Sequence, residues 1–194
     1  MVICCDIDGV LANFNKTYMD LLVATTGKNL FPFGYEPQVW NFPEALGYTS
    51  SEIDYVWNSI QTNPVFWSSL LPLPGAFELL HSRGINDRKN DIYFVTDRMG
   101  VRAKYQTEDW LRKYVIQHPT VLLTKYKGLA AHALHADFVF DDRFENIQDV
   151  ERESPMTRAF LINRPYNQVI RFPGEDDVIR RADSVKEVLN TCGI

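Results

Sequence analysis

The sequence has few cysteines, few histidines and no long apolar run, and each shortage excludes a class of protein. Its three cysteines, two of them adjacent at Cys4 and Cys5, make a poor disulfide framework and indicate a reduced, cytoplasmic protein. No apolar run approaches the roughly 18 residues that a membrane span needs. A carboxylate already stands at position 6, so we expect no signal peptide.

Positive charge is also in short supply. The net charge of −5 over 194 residues argues against broad affinity for nucleic acid or for a membrane surface. A hydrophobic fraction of 45% is ordinary for a globular protein, and the length suits one domain with an elaboration. This composition leaves open a local basic patch and a homodimer.

Helical and strand patterns alternate along most of the chain. Short apolar runs that end in polar residues predict strands at 2–5, 91–97, 120–124, 136–142 and 158–163. Helical patterns cover 76–82 (ended by Gly84), 101–117, 127–134, 144–152 and 183–190. This alternation predicts an α/β fold with a Rossmann-like parallel sheet and right-handed crossovers.

The segment 15–72 interrupts this alternation after the first strand. One helical pattern runs from Phe14 to Gly27, an irregular aromatic stretch covers 30–42, and a capped helix begins at Thr49. We predict a small helical cap over 15–72, inserted into a core formed by 1–14 and 73–194. Three of the four tryptophans lie in this cap segment, which is more than its own small core needs.

Carboxylates gather where the predicted strands end. Asp6 and Asp8 are two residues apart, so they face the same side, and Gly9 permits a sharp turn or a close approach to a ligand. The carboxyl ends of parallel strands share one rim, which brings further polar side chains to this place. They are Thr96, Asp97, Thr124, Asp141 and Asp142.

Several carboxylates at one rim repel each other unless a cation lies among them. Oxygen ligands without a histidine or cysteine cluster favour Mg²⁺. Lys125 and Lys127 follow the third strand and reach the same rim. A metal, a lysine and a hydroxyl around a carboxylate are typical of phosphoryl transfer to that carboxylate.

The order of these motifs resembles the haloacid dehalogenase superfamily of phosphohydrolases over residues 2–150. Three stretches, 6–14, 63–76 and 123–127, look more narrowly like the 5′(3′)-deoxyribonucleotidases. This resemblance implies a Mg²⁺-dependent phosphatase of nucleoside monophosphates. Asp6 would then be the nucleophile that forms an aspartyl-phosphate, and Asp8 the general acid and base.

The same resemblance assigns the remaining site residues. Mg²⁺ would be held by Asp6, the backbone carbonyl of Asp8 and the Asp141–Asp142 pair, with Asp142 favoured as the direct ligand. Thr96 and Lys127 match the phosphate-binding residues, and Lys125 falls where the family has a basic residue beside the phosphate. The aromatic residues expected to line the nucleoside pocket are Phe14, Trp40 and Trp57, whereas we expect Trp67 to pack between cap and core.

The motif at the end of the predicted strand 91–97 departs from the family pattern. The family usually reads Thr-Ser-Pro where this chain reads Thr96-Asp97-Arg98. We expect Asp97 and Arg98 to lie near the substrate, with Arg98 or Arg102 offsetting the extra carboxylate. The Thr-x-Arg start also resembles the phosphatase part of polynucleotide 3′-end-healing enzymes. A 3′-phosphatase of nucleic-acid ends and a catalytically inactive nucleotide-binding module therefore remain the alternatives.

Overall fold

A six-stranded parallel sheet forms the centre of the computed structural model, which describes residues 1–82, 85, 89–168 and 180–193. The strands lie in the order β3-β2-β1-β4-β5-β6. They are β1 Val2–Cys5, β2 Asp91–Thr96, β3 Thr120–Leu123, β4 Phe138–Asp141, β5 Arg158–Ile162 and β6 Arg180–Ala182. The predicted parallel α/β sheet is confirmed. Only β6 was not predicted.

Eight α-helices surround the sheet in the described part of the chain. Three follow β1: α1 Phe14–Thr26, α2 Phe42–Leu46 and α3 Ser50–Thr62. The others are α4 Pro74–Leu80, α5 Ala103–Tyr114, α6 Lys127–Leu134, α7 Phe144–Glu153 and α8 Val185–Cys192. The helix α2 was not predicted from the sequence, and the helix end predicted at Gly84 lies outside the described residues. None of the described helices is long and apolar enough to cross a membrane.

Local signals fix the ends of the first helices. Gly27 ends α1 in the left-handed region at φ 70°, which costs glycine little. Thr49 and Glu52 form the reciprocal hydrogen bonds of a capping box at the start of α3. Both helices bury an apolar face, with Phe14, Tyr18 and Leu22 on α1 and Ile53, Val56 and Ile60 on α3.

The chain enters and leaves the cap segment through two neighbouring crossings. The amide of Asn13 donates to the carbonyl of Leu71 at 2.8 Å, and the amide of Leu73 donates to Leu11 at 2.7 Å. These backbone bonds hold the start of α1 beside the start of α4. The segment 15–72 thus begins and ends at neighbouring points of the chain, although the division into cap and core stays a prediction.

The register of the sheet places the functional ends of three strands side by side. Cys5 of β1 pairs with Phe94 of β2 and with Phe140 of β4. The amide of Asp6 then donates to the carbonyl of Phe140 at 3.0 Å. Asp6 therefore lies beside Asp141, at the rim where ligands of parallel sheets bind.

Candidate active site

A cavity of about 570 Å³ opens at the carboxyl ends of β1, β2 and β4. Ligand sites in proteins usually enclose roughly 300–1,000 Å³, so a small phosphorylated metabolite fits. Its lining comprises Asp6, Asp8, Phe14, Trp40, Trp57, Gln61, Trp67, Thr96, Asp97, Met99, Lys125, Lys127, Asp142, Arg143 and Asn146. The floor is ionic and the wall is aromatic.

Lys127 is the cation of this floor. Its ammonium donates to Asp6 Oδ1 at 2.5 Å, to the carbonyl of Val95, and contacts Asp141 Oδ2 at 3.2 Å. Its side chain is only 5% exposed. Burial lowers the pKa of Lys127, but Asp6 and Asp141 raise it more, so the net shift is upward and the lysine stays charged.

Asp6 is held in a buried site among like charges. Burial raises the pKa of the Asp6 carboxyl well above its usual value, and the carboxylates of Asp141, Asp142 and Asp8 raise it further, while Lys127 lowers it. This crowding disfavours the charged form, and a cation among these oxygens would relieve it.

The carboxylates of Asp6, Asp141 and Asp142 could hold such a cation, because one oxygen of each lies within 4.8 Å of the others. Asp141 is already engaged: its Oδ1 accepts from the amide of Arg143 at 2.8 Å, and Asn146 Nδ2 contacts both of its oxygens at 3.0 Å. Asp142 Oδ1, by contrast, is buried without a hydrogen-bond partner. A buried, unpartnered carboxylate oxygen in a cluster of three carboxylates suits a divalent cation, so the residues fit Mg²⁺.

The other oxygen of Asp142 accepts a hydrogen bond from the hydroxyl of Tyr166. Tyr166 belongs to a short 3₁₀ helix, Pro165–Asn167, which follows β5. Burial raises the pKa of Asp142 to about 7, Asp141 adds to the increase, and Tyr166 opposes it. The segment after β5 therefore supports the site.

Gly9 allows this close packing. It lies at φ +79°, and a Cβ built on it would fall 2.0 Å from Asp142 Oδ2 and 2.6 Å from the Tyr166 hydroxyl. The predicted sharp turn after Asp8 is present, and the close approach is to Asp142. Arg164 Nε fixes the same turn by donating to the carbonyl of Gly9 at 2.5 Å.

Arg98 lies elsewhere than expected. Its guanidinium forms a two-point contact with Asp8, Nε to Oδ2 at 2.9 Å and Nη2 to Oδ1 at 2.8 Å. It is only 2% exposed. Arg98 thus pairs with Asp8 and not, as expected, with Asp97. Asp97 itself is exposed at the cavity mouth.

The aromatic wall of the cavity centres on Phe14. Its ring stacks on Trp57 at 5.8 Å and on Trp67 at 5.9 Å between ring centroids. Trp40 is 46% exposed and meets Tyr166 edge to face at 5.6 Å, with the Arg143 guanidinium 4.6 Å from its ring centroid. Phe14, Trp40, Trp57 and Trp67 all line the cavity, and contact of these rings with a nucleoside stays a prediction.

A larger cavity of about 800 Å³ lies along α1 and shares Phe14 with the site. Its lining includes Phe31, Phe33 and Tyr35, but none of Asp6, Asp8, Asp142 or Lys127. Volume alone would favour it, but a phosphoryl-transfer site needs the carboxylates and the lysine. We therefore assign the chemistry to the smaller cavity.

The structure brings together the residues that the sequence singled out, although it does not test their roles. Asp6, Asp8, Thr96, Lys125, Lys127 and Asp142 line one cavity. Asp141 lies behind it and is fully buried. Four residues that line the cavity were not singled out from the sequence, namely Gln61, Met99, Arg143 and Asn146. Of these, only Arg143 and Asn146 could have been identified from the sequence, because they closely follow the Asp141–Asp142 pair.

Comparison with known proteins adds an independent finding. The model of the family described as 5′ nucleotidase, deoxy (Pyrimidine), cytosolic type C protein matches residues 1–191. No curated protein sequence gives a match.

Solved structures of similar fold are haloacid dehalogenase-type hydrolases. A Bacillus subtilis HAD-hydrolase bound to magnesium superimposes with a TM-score of 0.61 at 12% identity, covering 100% of this chain and 98% of that one. A HAD family hydrolase from Deinococcus radiodurans R1, with bound phosphate and sodium, gives 0.59 at 12% identity, covering 99% and 94%. A hydrolase from Pseudomonas syringae gives 0.55 at 15% identity, covering 100% and 98%. At these identities the likeness shows the fold.

Proposed function

Because the chain belongs to the 5′ nucleotidase, deoxy (pyrimidine), cytosolic type C family, we propose that it hydrolyses nucleoside monophosphates, deoxyribonucleotides above all, with Mg²⁺. Membership makes it a phosphoric monoester hydrolase of the haloacid dehalogenase type. The substrate proposal depends on one observation: a single cavity combines a floor of Asp6, Asp8 and Lys127 with a wall of stacked aromatic rings. The floor suits a phosphate, and the wall suits a base.

The first step transfers the phosphoryl group to Asp6. A carboxylate oxygen of Asp6 attacks phosphorus, and the ester bond between phosphorus and the nucleoside oxygen breaks. Asp8 gives its proton to that departing oxygen, so the nucleoside leaves as a neutral alcohol. Lys127, which already contacts Asp6 at 2.5 Å, offsets the negative charge that gathers there.

The second step releases phosphate. Asp8, now ionised, takes a proton from a water molecule whose oxygen attacks phosphorus. The bond between phosphorus and the Asp6 oxygen breaks, which yields inorganic phosphate and restores the Asp6 carboxylate. The proton then resides on Asp8, which is again ready to act as the acid.

Mg²⁺ would be held by Asp6, the backbone carbonyl of Asp8 and Asp142, with Asp141 behind them. We favour Asp142 as the direct ligand because its Oδ1 is unpartnered, whereas Asn146, Arg143 and Lys127 occupy the Asp141 oxygens. When bound, the ion neutralises phosphate oxygens and the crowded carboxylates.

Recognition of the nucleoside is assigned to Phe14, Trp57 and Trp40. Stacking of a base on such rings contributes roughly 1–3 kcal/mol. Lys125 and Thr96 lie at the same floor and are proposed to bind phosphate oxygens. The thiols of Cys4, Cys5 and Cys192 are free, which supports the cytoplasm as the proposed compartment.

The test measures phosphate release from nucleoside 5′- and 3′-monophosphates, sugar phosphates and 3′-phosphorylated oligonucleotides. We expect nucleoside monophosphates to have the highest kcat/KM and Asp6→Asn to abolish turnover. Asp20→Asn is the matched control, because Asp20 is an exposed carboxylate on α1 paired with Lys16. Faster hydrolysis of oligonucleotide ends, or turnover by Asp6→Asn, would contradict the proposal.

A further inference from the structure

The contact between Arg98 and Asp8 is built like a clamp. Both carboxylate oxygens of Asp8 receive a donor, at 2.8 and 2.9 Å, from two nitrogens of one guanidinium. Such a fork fixes the plane of a carboxylate as well as its position, which a single hydrogen bond does not. The side chain of Asp8 is 20% exposed, and that of Arg98 is fully buried. Asp8 thus presents itself to the cavity while its partner holds it from behind.

The guanidinium of Arg98 is itself anchored on three sides. Its Nη1 donates to Thr107 Oγ1 at 3.2 Å, and this hydroxyl donates in turn to the carbonyl of Ala103 at 2.8 Å. The Arg98 guanidinium carbon lies 5.0 Å from the ring centroid of Trp67 and 5.9 Å from that of Trp110. A clamp held this firmly has little freedom to follow a moving carboxylate.

The two tryptophan rings are also fixed by hydrogen bonds. Trp67 Nε1 donates to the carbonyl of Met99 at 2.9 Å, and Trp110 Nε1 donates to that of Leu70 at 2.8 Å. Turning Asp8 away would leave the charge of Arg98 buried without its partner, which is costly. The structure therefore favours one orientation of Asp8.

We propose that Arg98 is a positioning residue that holds the carboxylate of Asp8 in the orientation needed to exchange a proton with the leaving nucleoside oxygen and with water. The inference rests on the proposed function, because it concerns the acid–base step at that site. Each carboxylate oxygen has two lone pairs, so the fork leaves one on each oxygen for the transferred proton. Arg98 touches no substrate and acts through Asp8.

The leaving group tests this role. An alkoxide leaves only with a proton, whereas p-nitrophenolate leaves as an anion and does not need Asp8 as the acid. In Arg98→Met we expect the phosphorylation of Asp6 by a nucleoside monophosphate to slow about 100-fold, as for a catalytic group misplaced by about 1 Å. With p-nitrophenyl phosphate, rapid mixing should still show a burst of one p-nitrophenolate per site, followed by slow turnover.

Variants separate positioning from stability. Leu111→Ala is the control, because Leu111 is fully buried one turn beyond Thr107 on α5 and has no polar side-chain group that could hold Asp8. This substitution should destabilise the fold but leave unchanged the ratio of the phosphorylation rates with the two substrates. Arg98→Lys retains the charge without the two-point contact. Like Arg98→Met, it should therefore slow phosphorylation by a nucleoside monophosphate far more than phosphorylation by p-nitrophenyl phosphate.

If Arg98→Met does not fold, Arg98→Lys supplies the measurement, and added guanidinium should restore nucleotide turnover in Arg98→Ala. Equal losses with both substrates in the rate of the phosphorylation step, measured by rapid mixing, or full activity in Arg98→Lys, would overturn the proposal. Failure of the proposed function looks different: the wild-type protein would then prefer another alkyl phosphate. The Arg98 comparison can be repeated with that ester.

Discussion

Replacing Lys127 by methionine should destabilise the protein strongly. The substitution keeps the length of the side chain but removes a cation whose side chain is only 5% exposed and which contacts Asp6 and Asp141. Removal of one partner from a buried ion pair costs about 3–5 kcal/mol, because the remaining charge stays desolvated. For a chain of this length, each kcal/mol lowers the melting temperature by about 2–4 °C, so we expect a decrease of about 6–20 °C.

Calorimetry in EDTA measures this effect, and Lys125→Met is the matched control. Lys125 lies two residues earlier and lines the same cavity, but its side chain is exposed, so the free energy of unfolding should change by at most about 0.5 kcal/mol. Activity with Mg²⁺ should fall about 10²- to 10³-fold in Lys127→Met, as when one preorganised donor is lost. Equal melting temperatures for the two variants would refute the argument that Lys127 stabilises the carboxylate cluster.

Three further predictions concern the metal, the base and the turn after Asp8. In EDTA, the free energy of unfolding should fall as the pH rises from about 4 to about 7, because folded Asp142, its pKa raised from 3.8 to about 7, keeps a proton that the unfolded carboxyl has lost. Mg²⁺ should raise the melting temperature more at pH 8 than at pH 5, since protons compete for its ligands. Trp57→Ala should raise KM for nucleotides about 5- to 150-fold, the equivalent of 1–3 kcal/mol of stacking, and leave KM for p-nitrophenyl phosphate unchanged. Steady-state kinetics measure both KM values, and an equal increase in KM for the two substrates would count against recognition of the base by Trp57. Gly9→Ala should abolish activity and lower the melting temperature, because its Cβ would overlap Asp142 and Tyr166; an unaffected variant would show that the turn can relax.

The parallel sheet could be predicted because each central strand is a short apolar run followed at once by a polar residue. Those runs are buried on both faces, as β4 shows with all four residues buried. β6 could not be predicted, since Arg180–Ala182 has no apolar run and is a strand only through its pairing with β5. The helix α2 was missed for a similar reason: Phe42–Leu46 is too short to show a helical period.

The sequence predicted which side chains lie at the same rim of the sheet. It did not predict which of them form hydrogen bonds with each other. Strand ends fix the positions of Asp6, Thr96 and Asp141, and the register in the sheet then follows. The hydrogen bond from Tyr166 to Asp142 joins residues 24 positions apart, and no local pattern predicts it. The direction of Arg98 is likewise set by tertiary packing on Trp67 and Trp110.

The two carboxylates of the first motif differ chiefly in their cationic partners. Asp6 meets the ammonium of Lys127, a point charge that also contacts Asp141, so this lysine can offset charge without fixing the plane of the carboxylate. Asp8 meets the planar fork of Arg98, which fixes orientation. A nucleophile needs its attacking oxygen free to form a bond to phosphorus, whereas a group that donates and then accepts a proton must face the same direction twice. The chain reads Thr96-Asp97-Arg98 where the 5′(3′)-deoxyribonucleotidases that it resembles usually read Thr-Ser-Pro. This clamp on Asp8 therefore comes from one of the two positions at which the motif departs from that pattern.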